Sequence, residues 1–409
     1  MISAYYSKGC DSEQLFAKYR IASDSDFLDK LNQYNVIKLD MNSEYQNTMD
    51  KEQLVERITM KVKEEMVKAF PAISFDDRDS LADSILKVYA ETGETFILVI
   101  DEYDVLVREQ VDCELFTKYL SFLNGLFKSD TLRPAIALAY LTGIMPIVRD
   151  KIQSKLNNFR EYTILNAREL TEYIGFTSEE VKRLCEEYGI NFAECQNWYD
   201  GYRMNGLEIY NPESVVMCID EGRFDGYWGK TSSYQVITDR LNQEMKGVRE
   251  SVIRMLSGES VEVDAGMFLN TMTDFHGENE ILTYLIHLGY LVYDLKNETC
   301  RIPNREIRKE WIRALTTDES YSVTNEIIQA SKELLAETIN GNEEAVAKAL
   351  DRSHIHVTSN RSYNNEDALQ SAVYLAYIYA LNEYTCVREL TSGKGFADIT
   401  YIPVHPTEE

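Results

Sequence analysis

Four apolar residues, Ile97 to Ile100, run directly into Asp101, Glu102, Tyr103 and Asp104. The continuous apolar run Phe96 to Ile100 reads as a strand buried on both faces, which delivers the acids to its carboxyl end. Ligands of open α/β sheets bind at that edge. An aspartate there can hold a divalent cation against the β- and γ-phosphates of a nucleotide, and a neighbouring glutamate can polarise the attacking water. Taken alone, the same two acids serve equally well to begin a loop or cap the next helix. A further predicted strand, Ala135 to Leu141, ends at Thr142 and Gly143. A hydroxyl in that place can touch a phosphate or the water, and can as readily satisfy backbone at a strand terminus.

At the far end of the chain, Glu366 lies near the start of a strongly apolar predicted helix, Asn365 to Leu381. Tyr384 to Leu390 reads as a strand, Thr391 to Gly395 as a turn, and Phe396 to Pro403 as a second strand carrying Asp398. By themselves Glu366 and Asp398 read equally as a solvated helix acid and a turn-capping aspartate. His354 and His356 alternate along a stretch read as extended, which suits a metal pair; lacking a third ligand, they read better as surface histidines and receive no role. The seven cysteines are odd in number, scattered and never in a C-x-x-C pair, so reduced thiols are expected rather than zinc or redox chemistry.

Elements alternate through the first 170 residues. Met1 to Tyr6 opens in a helix without a preceding cap. Asn35 to Met41 is a short strand, Lys51 to Phe70 an amphipathic helix, and Asp79 to Thr92 another that stops at Gly93. After the strand at Phe96 come helix Glu114 to Phe127, strand Ala135 to Leu141, helix Ile144 to Leu156 and strand Glu161 to Leu165. Such alternation predicts a doubly wound parallel sheet. From Leu170 to about Ala314 the pattern is mainly helical, closing with helix Glu280 to Leu288, a hairpin at Tyr290 to Pro303 turning at Lys296 and Asn297, and helix Arg305 to Leu315. Helix, two-stranded wing and helix look like a winged-helix module. A helical connector, Asn325 to Leu350, leads to the tail.

With 409 residues, 44% of them hydrophobic and 27% charged, the chain can bury two or three cores. No apolar run reaches the roughly 18 residues of a membrane span and no signal-peptide pattern opens the chain, so a cytoplasmic protein is expected. The formal charge of −26 opposes nonspecific attraction to nucleic acid, which confines any such contact to a local patch.

Phe96 to Asp104, Leu141-Thr142-Gly143, Leu170 to Glu180 with Tyr173-Ile174-Gly175-Phe176, Trp198-Tyr199-Asp200-Gly201-Tyr202 and Tyr210-Asn211-Pro212 follow one another in the order seen in the predicted AAA-like ATPases of bacteria, and over roughly 300 residues the chain resembles that family. The resemblance implies a P-loop NTPase-like core at 1–169, a helical lid with the winged-helix-like module at 170–320, and ATP with Mg²⁺ as cofactors. In it Asp101, the Walker B aspartate, would hold Mg²⁺, Glu102 would activate water and Thr142 would sense phosphate. The Trp198 to Tyr202 cluster has no catalytic chemistry of its own and is expected to be an aromatic turn that packs the lid on the core.

The phosphate-binding G-x-x-x-x-G-K-[ST] loop is not in the sequence. Gly229-Lys230-Thr231 is a lookalike, because Phe224 stands where the first glycine should be and no apolar strand leads into it. The resemblance therefore implies a sheet without its first strand and a chain truncated just after the phosphate lysine. The tail, 321–409, is similar to the opening of a PD-(D/E)XK nuclease, a partial restriction-endonuclease-like α/β domain in which Glu366 and Asp398 would hold Mg²⁺ for phosphodiester cleavage of nucleic acid. The E-x-K strand that should follow is not in the sequence. An ATPase module coupled to a nuclease-like domain, inactive in this form, is the expectation; a noncatalytic scaffold that binds a protein partner through its helical and winged-helix region is the alternative.

Overall fold

The computed structural model describes residues 1–109, 111–144, 158–228, 248–256, 258–267, 277–317, 322–357, 373, 376–382, 384–392 and 395–403. They form a mixed α/β protein whose chain divides into two compact units, the first ending at Glu161 and the second starting at Tyr162.

The first unit is built on a parallel sheet. Strands β1 (Asn35–Asp40), β2 (Phe96–Asp101) and β3 (Ile136–Leu141) lie in the order β1-β2-β3, with Asp40 opposite Asp101 and Leu141 opposite Ile100. Phe96 to Ile100 is buried throughout, as a central parallel strand covered on both faces must be. Helix Leu54–Ala69 buries Leu54, Ile58, Val62 and Met66, a stripe at four-residue spacing. Each fully covered aliphatic side chain of this kind contributes roughly 1.5–3 kcal/mol. Helix Leu81–Thr92 adds Leu81, Ile85 and Val88, and helix Cys113–Phe127 adds Leu115, Tyr119, Leu123 and Leu126. A reciprocal Ser80–Asp83 capping box starts the helix at Leu81, and Gly93, at φ 72°, ends it. Ahead of β1, helix Ile2–Tyr6 joins Phe16, Phe27 and Leu31 in a small separate cluster around Tyr5.

Two expectations for the chain after β3 meet the structure differently. Helix Ile144 to Leu156 falls almost wholly outside the described residues. Glu161 to Leu165 is not a strand: Thr163 and Asn166 exchange backbone hydrogen bonds (2.9 and 3.4 Å) across Ile164-Leu165, so the segment is a tight turn with one isolated bridge. Five residues of mixed polarity carry no period strong enough to tell a strand from a turn.

The second unit is less helical than the sequence suggests. Strands β4 (Phe176–Thr177), β5 (Tyr202–Met204) and β6 (Leu207–Tyr210) form an antiparallel sheet in the order β4-β6-β5. Its hairpin turns at Asn205-Gly206, with φ of 48° and 82°, the left-handed pair that Asn-Gly favours. That dipeptide was the available signal; strands of two to four residues offer no alternation to read. A second antiparallel sheet, β7 (Val261–Glu262), β8 (Val292–Asp294) and β9 (Thr299–Arg301), has the order β7-β9-β8 and lies among helices Val248–Leu256, Glu278–His287 and Arg305–Thr317. Helices Ser322–Ile339 and Glu343–Val357 follow, turning at Gly341 (φ 74°). His354 and His356 therefore sit in a helix and not in an extended stretch. The chain closes on the expected hairpin, β10 (Tyr384–Ser392) with β11 (Gly395–Pro403).

Candidate functional site at the carboxyl edge of the parallel sheet

Three adjacent strands end side by side. Asp40 closes β1, Asp101 closes β2, and Thr142 follows β3. The ladder runs one step past β3, since Thr142 N–H donates to the Ile100 carbonyl (2.9 Å) and Tyr103 N–H donates to the Thr142 carbonyl (3.0 Å). This pins the threonine against the turn that carries the acids, and Thr142 Oγ1 donates a hydrogen bond to Asp101 Oδ1. Asp101 and Thr142, 41 residues apart in sequence, thus form one polar contact at the sheet edge.

Directly after Asp101 the chain turns through Glu102 at φ 51°, a left-handed conformation that side-chain-bearing residues adopt infrequently. Glu102 meets the guanidinium of Arg108, whose Nη2 donates to Oε2. The same guanidinium lies beside Asp104, with Nε 3.6 Å from Oδ2. Asp104 is 3% exposed and also accepts from Ile144 N–H (3.2 Å). Tyr103 is buried alongside, its carbonyl accepting from the Tyr119 hydroxyl (2.9 Å). Burial, reinforced by Asp104, holds the Tyr103 phenol well above its ordinary range, so it stays protonated. Gly143 is required here: a Cβ on it would sit 2.7 Å from Asp104 Oδ1 and 2.7 Å from the Tyr103 ring.

Asp40 and Arg108 were not singled out from sequence. Asp40 ends its strand as Asp101 ends the next, and a comparison of strand termini would have found it; its carboxylate accepts from Ser43 N–H and Oγ (both 2.9 Å) and caps the helix that follows, which lowers its pKa. Arg108 stands four residues after Asp104, a helical pairing distance.

Glu366 lies outside the described residues, and Asp398 is exposed on β11. Among the described residues no group of three His, Cys, Asp or Glu side chains is placed to hold a metal ion. The Gly229-Lys230-Thr231 segment is likewise outside them.

The Trp198–Tyr202 cluster is a fastening within the second unit. Trp198 lies under Arg305 (4.7 Å from the guanidinium carbon to the ring centre) and Lys309 (4.3 Å from Nζ) and donates Nε1–H to Glu194 (2.9 Å). Asn304 donates to the Asp200 carbonyl (2.8 Å), and Tyr202 donates its hydroxyl to the Gly289 carbonyl (2.7 Å). Glu306 is buried in the same unit, accepting from Ser214 Oγ (2.8 Å) and from the N–H groups of Tyr227 (2.6 Å) and Trp228 (2.8 Å). Burial raises its pKa, and those three donors pull it back.

The fold is mixed α/β with a three-stranded parallel sheet, and Asp40 and Asp101 end neighbouring strands at the edge where open α/β sheets bind ligands. Residues 1–153 match a family described as predicted AAA-ATPase. The chain is also 24% identical over 175 residues to an uncharacterized protein in the vnfD 5′ region of Azotobacter chroococcum mcd 1. That similarity covers 41% of this chain and 33% of the relative, so the chain matches about a third of the relative's length. No described helix is long and apolar enough to cross a membrane.

Proposed function

We propose that the first unit is the catalytic-edge part of an AAA-like ATPase, with Asp101 the Mg²⁺ ligand, Glu102 the residue that orients the attacking water and Thr142 the contact to the terminal phosphate. The observation that carries this reading is the Thr142–Asp101 hydrogen bond, which places a hydroxyl and a carboxylate together at the ends of neighbouring parallel strands. Asp101 alone fits an ion that takes its remaining ligands from phosphate and water, as Mg²⁺ does. When bound, that ion would neutralise charge on the phosphate oxygens. In that setting Asp101 would hold the ion, Thr142 would turn the one hydroxyl proton it now gives Asp101 towards the terminal phosphate, and Glu102 stands one residue on as an acceptor for a water proton. The tail reading, Glu366 and Asp398 as metal ligands of a nuclease-like element acting on nucleic acid, rests on the family resemblance alone.

A test within this chain uses Mn²⁺ as the probe. Paramagnetic broadening of methyl resonances from Ile100 and Leu141, which flank the site, is expected at millimolar Mn²⁺ and should be lost in Asp101→Asn. Broadening elsewhere, or insensitivity to that substitution, would refute the metal role. Calorimetric titration with ATP and Mg²⁺ is expected to show no micromolar affinity, because the sequence contains no G-x-x-x-x-G-K-[ST] loop.

One observation favours a second reading, a protein-binding role for the second unit. The β7-β9-β8 sheet with its surrounding helices supports the winged-helix reading, yet helix Glu278–His287 has no Lys or Arg and buries Ile281 through Ile286. Such a helix cannot read a phosphate backbone. Pull-down with the Leu295 to Glu298 wing tip mutated to Ala, compared with wild type, would reveal a partner that depends on it.

A further inference from the structure

We infer that the outward face of helix Arg305–Thr317 is a docking strip for an acidic peptide segment of a partner protein. The inference rests on the protein-binding reading of the second unit and names the chemistry that its partner must carry.

The chain has 68 acidic and 42 basic residues, and this helix mixes both signs along its sequence. Folding sorts them. Glu306 and Glu310 are 1% and 6% exposed, buried together with Ile307, Trp311 and Ala314. On the other side Arg305, Arg308, Lys309 and Ile312 are half-buried and Arg313 is exposed, so that side carries no acid between 305 and 313. Arg305, Lys309 and Arg313 follow one another at four-residue spacing, a like-charge row that by itself destabilises a helix.

Neighbouring groups fix these cations and leave most of their charge in place. Arg305 and Lys309 lie over the Trp198 ring, 4.7 and 4.3 Å from its centre. Arg308 Nη1 donates to the Leu256 carbonyl (2.6 Å). Arg301, just ahead of the helix, donates to the carbonyls of Ile302 (3.3 Å), Pro303 (3.2 Å) and Gly201 (3.4 Å). A ring or a carbonyl positions a cation without neutralising it. Glu194 lies 3.6 Å from Arg305, while among the described residues Arg301, Arg308 and Lys309 form no ion pair. Asp200 and Asp294 attract Arg301, and Asp225 attracts Lys309, from beyond ion-pair distance.

From Arg305 to Arg313 the row runs about 12 Å, with a cation every ~6 Å. Alternate residues of an extended peptide repeat at about 6.6 Å on one face, so successive carboxylates can meet successive cations. Guanidinium forks pair carboxylates with two parallel hydrogen bonds. Ile312 adds an apolar contact between the cations, which suits a peptide that mixes acids with an apolar residue. A nucleic acid fits less well, because its charge continues along its whole length and must run past a strip this short over a chain of formal charge −26.

The test measures binding of a fluorescein-labelled polyglutamate peptide with one central Leu to the full chain, by fluorescence anisotropy at low ionic strength, with circular dichroism to establish folding. Lys309→Gln/Arg313→Gln is expected to bind about tenfold more weakly than wild type and to stay folded, since it removes two members of the like-charge row. Lys309→Arg/Arg313→Lys keeps both charges on different side chains, and affinity within about threefold of wild type is expected. A loss in that pair as large as in the Gln pair overturns a strip that works by charge. Equal binding by wild type and the Gln pair overturns it too, as does an absence of saturable binding by wild type. Oligo(dT) that displaces the peptide at equal concentration overturns the choice of a peptide over a nucleic acid. The wing-tip variant should bind the peptide as wild type does, and its failure to do so overturns the helix as the peptide's site. A wing-tip pull-down that finds no partner while the peptide still binds removes the wing and leaves the strip.

Discussion

Substituting Gly143 by Ala tests whether the end of β3 is locked to the acidic turn. The new methyl would lie 2.7 Å from Asp104 Oδ1 and 2.7 and 2.9 Å from two carbons of the Tyr103 ring. Unstrained contacts of this kind fall near 3.5–4.0 Å, so the turn must retreat by roughly 0.8 Å. Retreat is resisted, because Tyr103 and Asp104 are 7% and 3% exposed and Asp104 is held by Ile144 N–H and Arg108. Overpacking of a tight site costs about 1–3 kcal/mol. For a unit of this size, each kcal/mol lowers the melting temperature by about 2–4 °C. Gly125 supplies the opposite control: it lies within helix Cys113–Phe127, where an added Cβ would meet nothing within 4 Å, so Gly125→Ala should stabilise by about 0.5–1 kcal/mol. Urea unfolding followed by far-ultraviolet circular dichroism resolves both signs. Gly143→Ala as stable as wild type would refute the close packing of the turn on the strand end.

Gly201→Ala should be more damaging, at about 3 kcal/mol or more in the same assay, because φ is +111° and the methyl would lie 2.2 Å from the Pro303 carbonyl oxygen, a backbone atom that cannot rotate away. Glu306→Ala strands the Ser214 hydroxyl and the N–H groups of Tyr227 and Trp228, and a loss of about 3 kcal/mol is expected; a loss under about 1 kcal/mol would show that water satisfies them. Burial lowers the His287 pKa from 6.5 to about 4, so the folded state favours neutral imidazole. That stability is fully present above pH 6.5 and is lost as pH falls towards 4, by up to about 3 kcal/mol. His287→Gln should flatten this part of the stability profile, and an unaltered slope would assign the acid sensitivity to other groups.

Much of the parallel sheet was legible in the sequence because its signals are local. Phe96 to Ile100 has the length and branching of a buried central strand, the four-residue apolar stripe of Leu54–Ala69 marks a helix with one covered face, and Gly93 marks where the next helix stops. Asp101 at a strand end follows from those signals without any knowledge of its neighbours. The hairpin at Asn205-Gly206 was equally local, yet short strands hid it among helical segments.

Partnership was decided only by tertiary structure. Nothing local to Asp101 says that Thr142, 41 residues on, donates to it, or that β1 brings Asp40 alongside. Glu306 reads as an ordinary surface acid of an amphipathic helix, and it is buried because Ser214, Tyr227 and Trp228, 78 to 92 residues away, supply its hydrogen bonds. Periodicity reports which face of an element is covered, whereas the charge state and hydrogen-bond partners of a side chain depend on what other elements bring to it. The residue types at the edge of the sheet are thus a property of the sequence, and their assembly into Asp101–Thr142 and Glu102–Arg108–Asp104 belongs to the fold.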